Sequence, residues 1–284
     1  MPFVSFVRAL QWMVLLTTAT LVCVSPGRAD ETPWFTRQSK WHGFDQFHFQ
    51  VADRPAYLVV PEKPAEGSPW IWRARFPGYH AEMDIALVGK GFHIGYGDVG
   101  GMFGNLRAAA IGDQFYEFIT TKRGLAKQVA LEGVSRGGLL VYNWAVKNPD
   151  KVACIYCDTP VCDIKSWPGG KGTGIGSPPT WKQCLKAYGF DEDQAKAFNG
   201  NPIDHAKVIA DAGIPILHIV SENDRIVPPK ENTYVLKSRL AKHGHEMEVI
   251  SVPEGTAKSN GHHFTHPQPE RVVDFILKHA TSAE

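Results

Sequence analysis

The chain alternates between two hydrophobic periods. Phe44-Asp45-Gln46-Phe47-His48-Phe49-Gln50-Val51 switches between apolar and polar at nearly every residue. Ala56-Tyr57-Leu58-Val59-Val60-Pro61 follows after the turn Asp53-Arg54-Pro55, which predicts a β-hairpin. Residues 30–40 before it read as an N-terminal arm. Short strand-like runs then alternate with longer helical ones. Strands are expected at 70–76 (stopped by Pro77-Gly78), 92–98, 128–132, 152–157, 215–220 and 246–252. Helices are expected at 82–89, 108–122, 139–146, 203–212, 232–243 and 269–279. Residues 158–201 break the rhythm with a Gly-rich tract and two short helical pieces, near 181–188 and 191–198. An insertion of that size between core elements predicts a cap over a site. Strands alternating with helices imply an α/β fold. Its sheet should be mainly parallel, with helices on both faces and an antiparallel leading hairpin. One domain is expected over residues 30–284, with the cap at about 158–201.

The 284 residues are ample for a sizeable core, and the net charge of +1 gives no electrostatic case for a nucleic-acid partner. Arg8, the uncharged apolar run 9–24, and Gly27 and Ala29 have the layout of a secretory signal cleaved after Ala29. The expectation is therefore a secreted or periplasmic protein with no membrane attachment after cleavage. An uncleaved anchor is the competing reading, for which the apolar run is short. Cys154, Cys157, Cys162 and Cys184 would remain, with at most one bridge expected, from Cys162 or Cys157 to Cys184. Cys154-x-x-Cys157 lies in an apolar run and reads as buried thiols.

The chemistry centres on Gly133-Val134-Ser135-Arg136-Gly137, a G-x-S-x-G pattern between a strand and a helix. Such a turn exposes the serine Oγ and aims the backbone N–H of Arg136 at a developing oxyanion. A base and an acid should follow on later loops, in the order Ser, acid, His. After the strand at 215–220 comes Ser221-Glu222-Asn223-Asp224-Arg225-Ile226-Val227-Pro228. After the strand at 246–252 comes a loop holding Gly261-His262-His263 and His266. Glu222 and Asp158 compete with Asp224 as the acid, and His263 competes with His262 as the base. His266 reads as a surface residue. The loop after residues 70–76 should supply the second oxyanion donor, and because Pro77 lacks an N–H the candidates are Phe76 and Gly78. Arg73 and Arg75 share a strand face and read either as a wall for an acidic substrate or as an internal salt bridge, with Asp98 or Asp113 as the acid.

No cofactor or metal is implied. Gly95-Tyr96-Gly97-Asp98-Val99-Gly100 is not followed by a helix, Gly169-Gly170-Lys171-Gly172 lacks P-loop spacing, and no H-E-x-x-H is present.

On the elbow, on Asp224-x-x-Val227-Pro228 and on Gly261-His262, the chain resembles the α/β-hydrolases of the serine esterase and prolyl-oligopeptidase-like group, from about residue 70 to the C-terminus. The resemblance implies that fold and a Ser135-His262-Asp224 triad acting through an acyl-enzyme. Export, the tryptophans Trp70, Trp72, Trp167 and Trp181 and the resemblance itself suggest a carbohydrate ester of a small acyl or uronate group as substrate, although tryptophan more commonly packs a core. Arg136 beside the serine, as in some glucuronoyl esterases, has the same two readings as Arg73 and Arg75. Trp167 and His263 join Arg73 and Arg75 as substrate contacts. Two alternatives stand. One is a prolyl-oligopeptidase-like serine peptidase, for whose usual N-terminal propeller the sequence has no room. The other is a non-catalytic carbohydrate-binding protein on a hydrolase fold.

Overall fold

A single nine-stranded sheet organises the chain, seen in a computed structural model that describes residues 33–281 and, beyond them, Met1. The leader expected over residues 1–29 lies outside that described stretch. The strands are β1 (Arg37–Trp41), β2 (Phe44–Val51), β3 (Arg54–Val60), β4 (Trp70–Arg73), β5 (His93–Gly97), β6 (Val129–Val134), β7 (Val152–Asp158), β8 (Ile216–Ser221) and β9 (Glu248–Val252). Their order in the sheet is β1-β2-β3-β5-β4-β6-β7-β8-β9. The first three strands and the β3–β5 pair are antiparallel; the other pairs are parallel. Residues 37–40, expected as part of an arm, instead form the edge strand β1 together with Trp41. Gln38 and Ser39 pair with the polar residues Asp45 and Gln46 of β2. Polar cross-strand pairing of this kind leaves no apolar alternation to read.

Helices cover both faces, as a parallel sheet requires. On one face lie α1 (Glu82–Gly89) and α8 (Pro269–Ala280), which bury Met83, Leu87, Val272 and Ile276 against Ile71 and Ile94. On the other lie α2 (Leu106–Glu117), α3 (Gly137–Lys147), α6 (Ala206–Asp211) and α7 (Thr233–Ala241). Trp70 and Trp72, two apart in β4, both point to this second face, where they stack on each other and meet Phe115 and Trp144. They are core residues at zero and 2% exposure, so the expected sugar platform loses both.

Between β7 and β8 the chain carries α4 (Pro178–Tyr188) and α5 (Glu192–Ala197). These helices bury Trp181, Cys184 and Ala195 with Phe103, Leu139 and Val227 in a small apolar cluster of their own. That cluster explains why the expected disulfide does not form. Cys184 belongs to it, whereas Cys157 and Cys162 lie in the main core, and all four described cysteines are free and buried. Burial pushes every one of these thiols up, Cys184 to about 12, so none is a poised nucleophile.

Candidate active site

The C-terminal ends of β6, β8 and β9 each hand one side chain to the same point. At the end of β6 the chain turns into α3 through Ser135, whose φ of 49° is a left-handed conformation that non-glycine residues rarely adopt. Backbone bonds hold it there: Ser135 N–H donates to Asp158 C=O at 2.8 Å, and its own C=O accepts from Gly138 at 3.0 Å and Val161 at 2.9 Å. The flanking glycines are needed for close approach. A Cβ on Gly133 would sit 3.0 Å from Cys157 Sγ and from Val141, and one on Gly137 would sit 3.0 Å from the Arg75 Cβ.

The loop after β8 carries Asp224. Its Oδ1 accepts from the N–H groups of Ile226 at 2.8 Å and Val227 at 2.9 Å, which orients the carboxylate. The loop after β9 carries His262 and is pressed against the Asp224 loop at Gly261. There φ is 86° and a Cβ would fall 2.3 Å from Asn223 C=O. His262 Nδ1–H donates to Asp224 Oδ2 at 2.6 Å, and Ser135 Oγ–H donates to His262 Nε2 at 3.1 Å. The structure therefore joins three residues 38 and 127 positions apart into one hydrogen-bonded line.

The competitors are placed elsewhere. His263 is exposed and turned toward Tyr79, with ring centroids 5.2 Å apart; burial and the neighbouring His262 pull its pKa down. Glu222 accepts from the Tyr234 hydroxyl and from Ser251 Oγ at 2.5 Å. Asp158, fully buried at the end of β7, faces His80. His266, expected at the surface, is buried and bonded to the Tyr156 hydroxyl at 3.1 Å.

β4 stops at Arg73, so Arg73 and Arg75 do not share a strand face. Arg73 is wholly buried and paired with Asp84 of α1 and with Glu132 of β6, the latter at 2.8 Å. It cannot reach a substrate. Burial opposes its charge, and the two carboxylates more than restore it, raising its pKa. Its second nitrogen donates to the carbonyls of Phe76 and Tyr79, so this ion cluster fixes the loop that follows β4. On that loop Phe76 has a φ of 49°. Among the described residues the N–H groups of Phe76, Gly78 and Arg136 make no hydrogen bond, which leaves them free to serve an oxyanion.

Arg75 lies against the turn that carries Ser135, its Cβ 3.0 Å from where a Cβ on Gly137 would sit, and its side chain also bonds to Tyr96. Asp98 gives its closer attention to Arg54, at 2.8 Å, and stands 3.8 Å from Arg75. Arg136 is half-buried and has no carboxylate partner among the described residues. Its guanidinium lies 5.4 Å from the Phe76 ring and 5.6 Å from that of Trp167. Burial and then the like charge of Arg75 lower its pKa. Of the four tryptophans read as sugar contacts, Trp167 alone borders this cationic wall; Trp181 is buried in the cap cluster. Sequence reasoning missed His80 and Tyr79, which reach the loop of His262 from the loop after β4.

A family model described as the prolyl oligopeptidase family matches residues 115–282. No curated protein matches the sequence. Among solved structures, Pyrococcus horikoshii acylaminoacyl peptidase is similar with a TM-score of 0.62 and 17% identity, over 84% of this chain and 42% of that one. A puromycin hydrolase is similar at 0.62 and 18%, over 82% of this chain and 38% of that one. Porphyromonas gingivalis dipeptidyl peptidase 4 is similar at 0.61 and 12%, over 86% and 36%. At such identities the likeness establishes the fold, and the chain spans roughly two-fifths of those proteins' lengths.

Proposed function

The chain belongs to the prolyl oligopeptidase family, with the α/β-hydrolase fold that its sequence led us to expect, and from that footing we propose that it is a serine hydrolase that cleaves an amide bond in a short peptide or an acylated amine. The line from Ser135 through His262 to Asp224 carries the reading. His262 takes the Ser135 proton as Oγ attacks the carbonyl carbon. Asp224 holds the ring in the right tautomer and balances the imidazolium. The oxyanion is received by the N–H of Arg136 and by that of Phe76 or Gly78. The proton on His262 then passes to the leaving nitrogen, and a water activated by the same histidine releases the acyl group from Ser135.

The peptidase alternative now stands ahead of the carbohydrate ester. Family membership supports it, and three of the four tryptophans that favoured sugar stacking, Trp70, Trp72 and Trp181, are buried in apolar clusters. Arg75 and Arg136 support a substrate with a carboxylate or similar anion near the scissile bond, with Trp167 beside it. The test is a panel of peptide p-nitroanilides and acylated amines against p-nitrophenyl and sugar esters, with Ser135→Ala as control. Turnover of an amide that the variant abolishes supports the reading. Turnover of sugar esters alone overturns the amide assignment.

A further inference from the structure

Phe264 lies two residues beyond His262, and both of its backbone polar groups are held from the loop after β4. Its N–H donates to the Tyr79 hydroxyl at 3.3 Å. Its C=O accepts from His80 Nε2 at 2.8 Å. The other ring nitrogen of His80, Nδ1, lies 2.5 Å from Asp158 Oδ2. One imidazole therefore ties together the oxyanion loop, the end of β7 and the loop of the catalytic histidine. The backbone at His80 has a φ of 48°, in the left-handed region that few non-glycine residues adopt.

The partners define the ring's charge. A backbone carbonyl and a carboxylate both accept and neither donates. A neutral imidazole has one N–H and fills one of the two bonds; an imidazolium fills both. Other groups around it are consistent with a cation there. Asp158 favours charge at contact distance, and the more remote charge of Glu82 favours it as well. His266, edge-on to His80 at 5.4 Å, is kept low by burial, and His263 is kept low likewise, so neither adds a competing positive charge. The Tyr79 ring lies tilted against that of His80, with centroids 4.0 Å apart, and its hydroxyl is pushed up by burial and by Asp158, so it stays protonated. Tyr156 holds His266 and also stays protonated. Arg73 reaches the Tyr79 carbonyl from the buried ion cluster below.

We propose that His80 is a positioning residue that works as a cation: protonated, it clamps the loop of His262 to Asp158 and to the oxyanion loop, and on losing its proton it releases one of those ties and loosens His262 from Ser135. The inference rests on the triad reading above. The direction with pH follows. Burial opposes the charge on His80, but Asp158 and the Phe264 carbonyl outweigh it, so its pKa is raised. The clamp is then complete below the ordinary histidine value of 6.5 and is lost as pH rises through the raised value. His262 must be neutral to act as base, so the two histidines place opposite demands on pH.

The experiment has two arms on the full chain. In the first, nitrogen-15 NMR of labelled histidine in the folded wild type reads the state of both ring nitrogens of His80, identified by its contacts to Phe264 and His266. The proposal expects both to be protonated at pH 7, with titration above the ordinary histidine range. A single protonated nitrogen at pH 7 overturns it, and this arm needs no variant to fold. In the second arm, His80→Gln should lose about tenfold to a hundredfold in kcat while KM moves less than about threefold, and the fall in kcat at high pH should disappear. A variant that keeps the wild-type kcat, or its alkaline limb, overturns the clamp. Ser135→Ala separates the two claims: if it stays active the triad reading fails, whereas the NMR result still decides the charge on His80.

Discussion

Asp158 Oδ2 lies 2.5 Å from His80 Nδ1, while the carboxylate beside His262 is that of Asp224, at 2.6 Å. Two His–Asp pairs thus stand at neighbouring strand ends, and of the two histidines His262 meets Ser135. Asp224→Asn should therefore lower kcat by about ten-thousandfold, because the amide stabilises the wrong tautomer of His262. Asp158→Asn should cost about a hundredfold or less, acting through His80. Steady-state kinetics on a p-nitrophenyl ester checks the ranking. Equal losses would mean that the acid is shared.

The cationic wall makes a prediction about selectivity. Take a pair of substrates that differ by one carboxylate near the scissile bond. The ratio of kcat/KM for the acidic over the neutral member should fall about tenfold or more in Arg136→Gln and in Arg75→Gln, as expected for one lost charge-assisted hydrogen bond. A ratio that does not move in either variant would remove both arginines from substrate recognition.

The buried cluster around Arg73 predicts a stability effect. Arg73→Ala leaves Asp84 and Glu132 facing each other without a counter-charge and frees the carbonyls of Phe76 and Tyr79. The expected loss is about 3–5 kcal/mol, measured by urea unfolding. Burial already drives the Glu132 pKa upward, and Arg73 opposes that shift, so the variant should also hold Glu132 protonated.

His218 gives the opposite pH sign to His80. It is fully buried between the Tyr142 hydroxyl at 2.6 Å and Thr233 Oγ1 at 2.9 Å, and burial lowers its pKa from 6.5 to about 3. Its contribution to stability is present above 6.5 and is lost as pH falls through about 3. Within that window the unfolded chain binds one more proton, a slope of about 1.4 kcal/mol per pH unit. Unfolding curves of His218→Gln at several pH values should show a slope smaller by about that amount; the wild-type slope retained in the variant would refute the assignment.

The hydrogen-bonded line of Ser135, His262 and Asp224 was legible because each member carries a local signature. Ser135 sits between glycines at a strand-to-helix turn, Asp224 precedes Val227-Pro228, and Gly261 precedes His262. The elements were legible for the same reason, their period being set by burial on one or both faces. What escaped was whatever depends on partners distant in sequence. Arg73 reads either as a substrate contact or as one half of an internal salt bridge, and nothing local says that the bridge is made with Asp84 from α1 and Glu132 from β6 rather than with Asp98 or Asp113. His80 has no motif; its partners Asp158 and Phe264 lie 78 and 184 residues away. The cysteines suggested a bridge because spacing says nothing of which apolar cluster each thiol joins. The strand β1 was hidden by its polar pairing with β2.

The proposed chemistry requires Ser135 to be an activated nucleophile. Its most direct test is labelling of the folded chain with a fluorophosphonate, read by intact mass and by peptide mapping. An activated Ser135 should give a single adduct, on Ser135, that is lost in Ser135→Ala and strongly slowed in His262→Ala. No adduct on the folded wild type, or one that persists in Ser135→Ala, would contradict it.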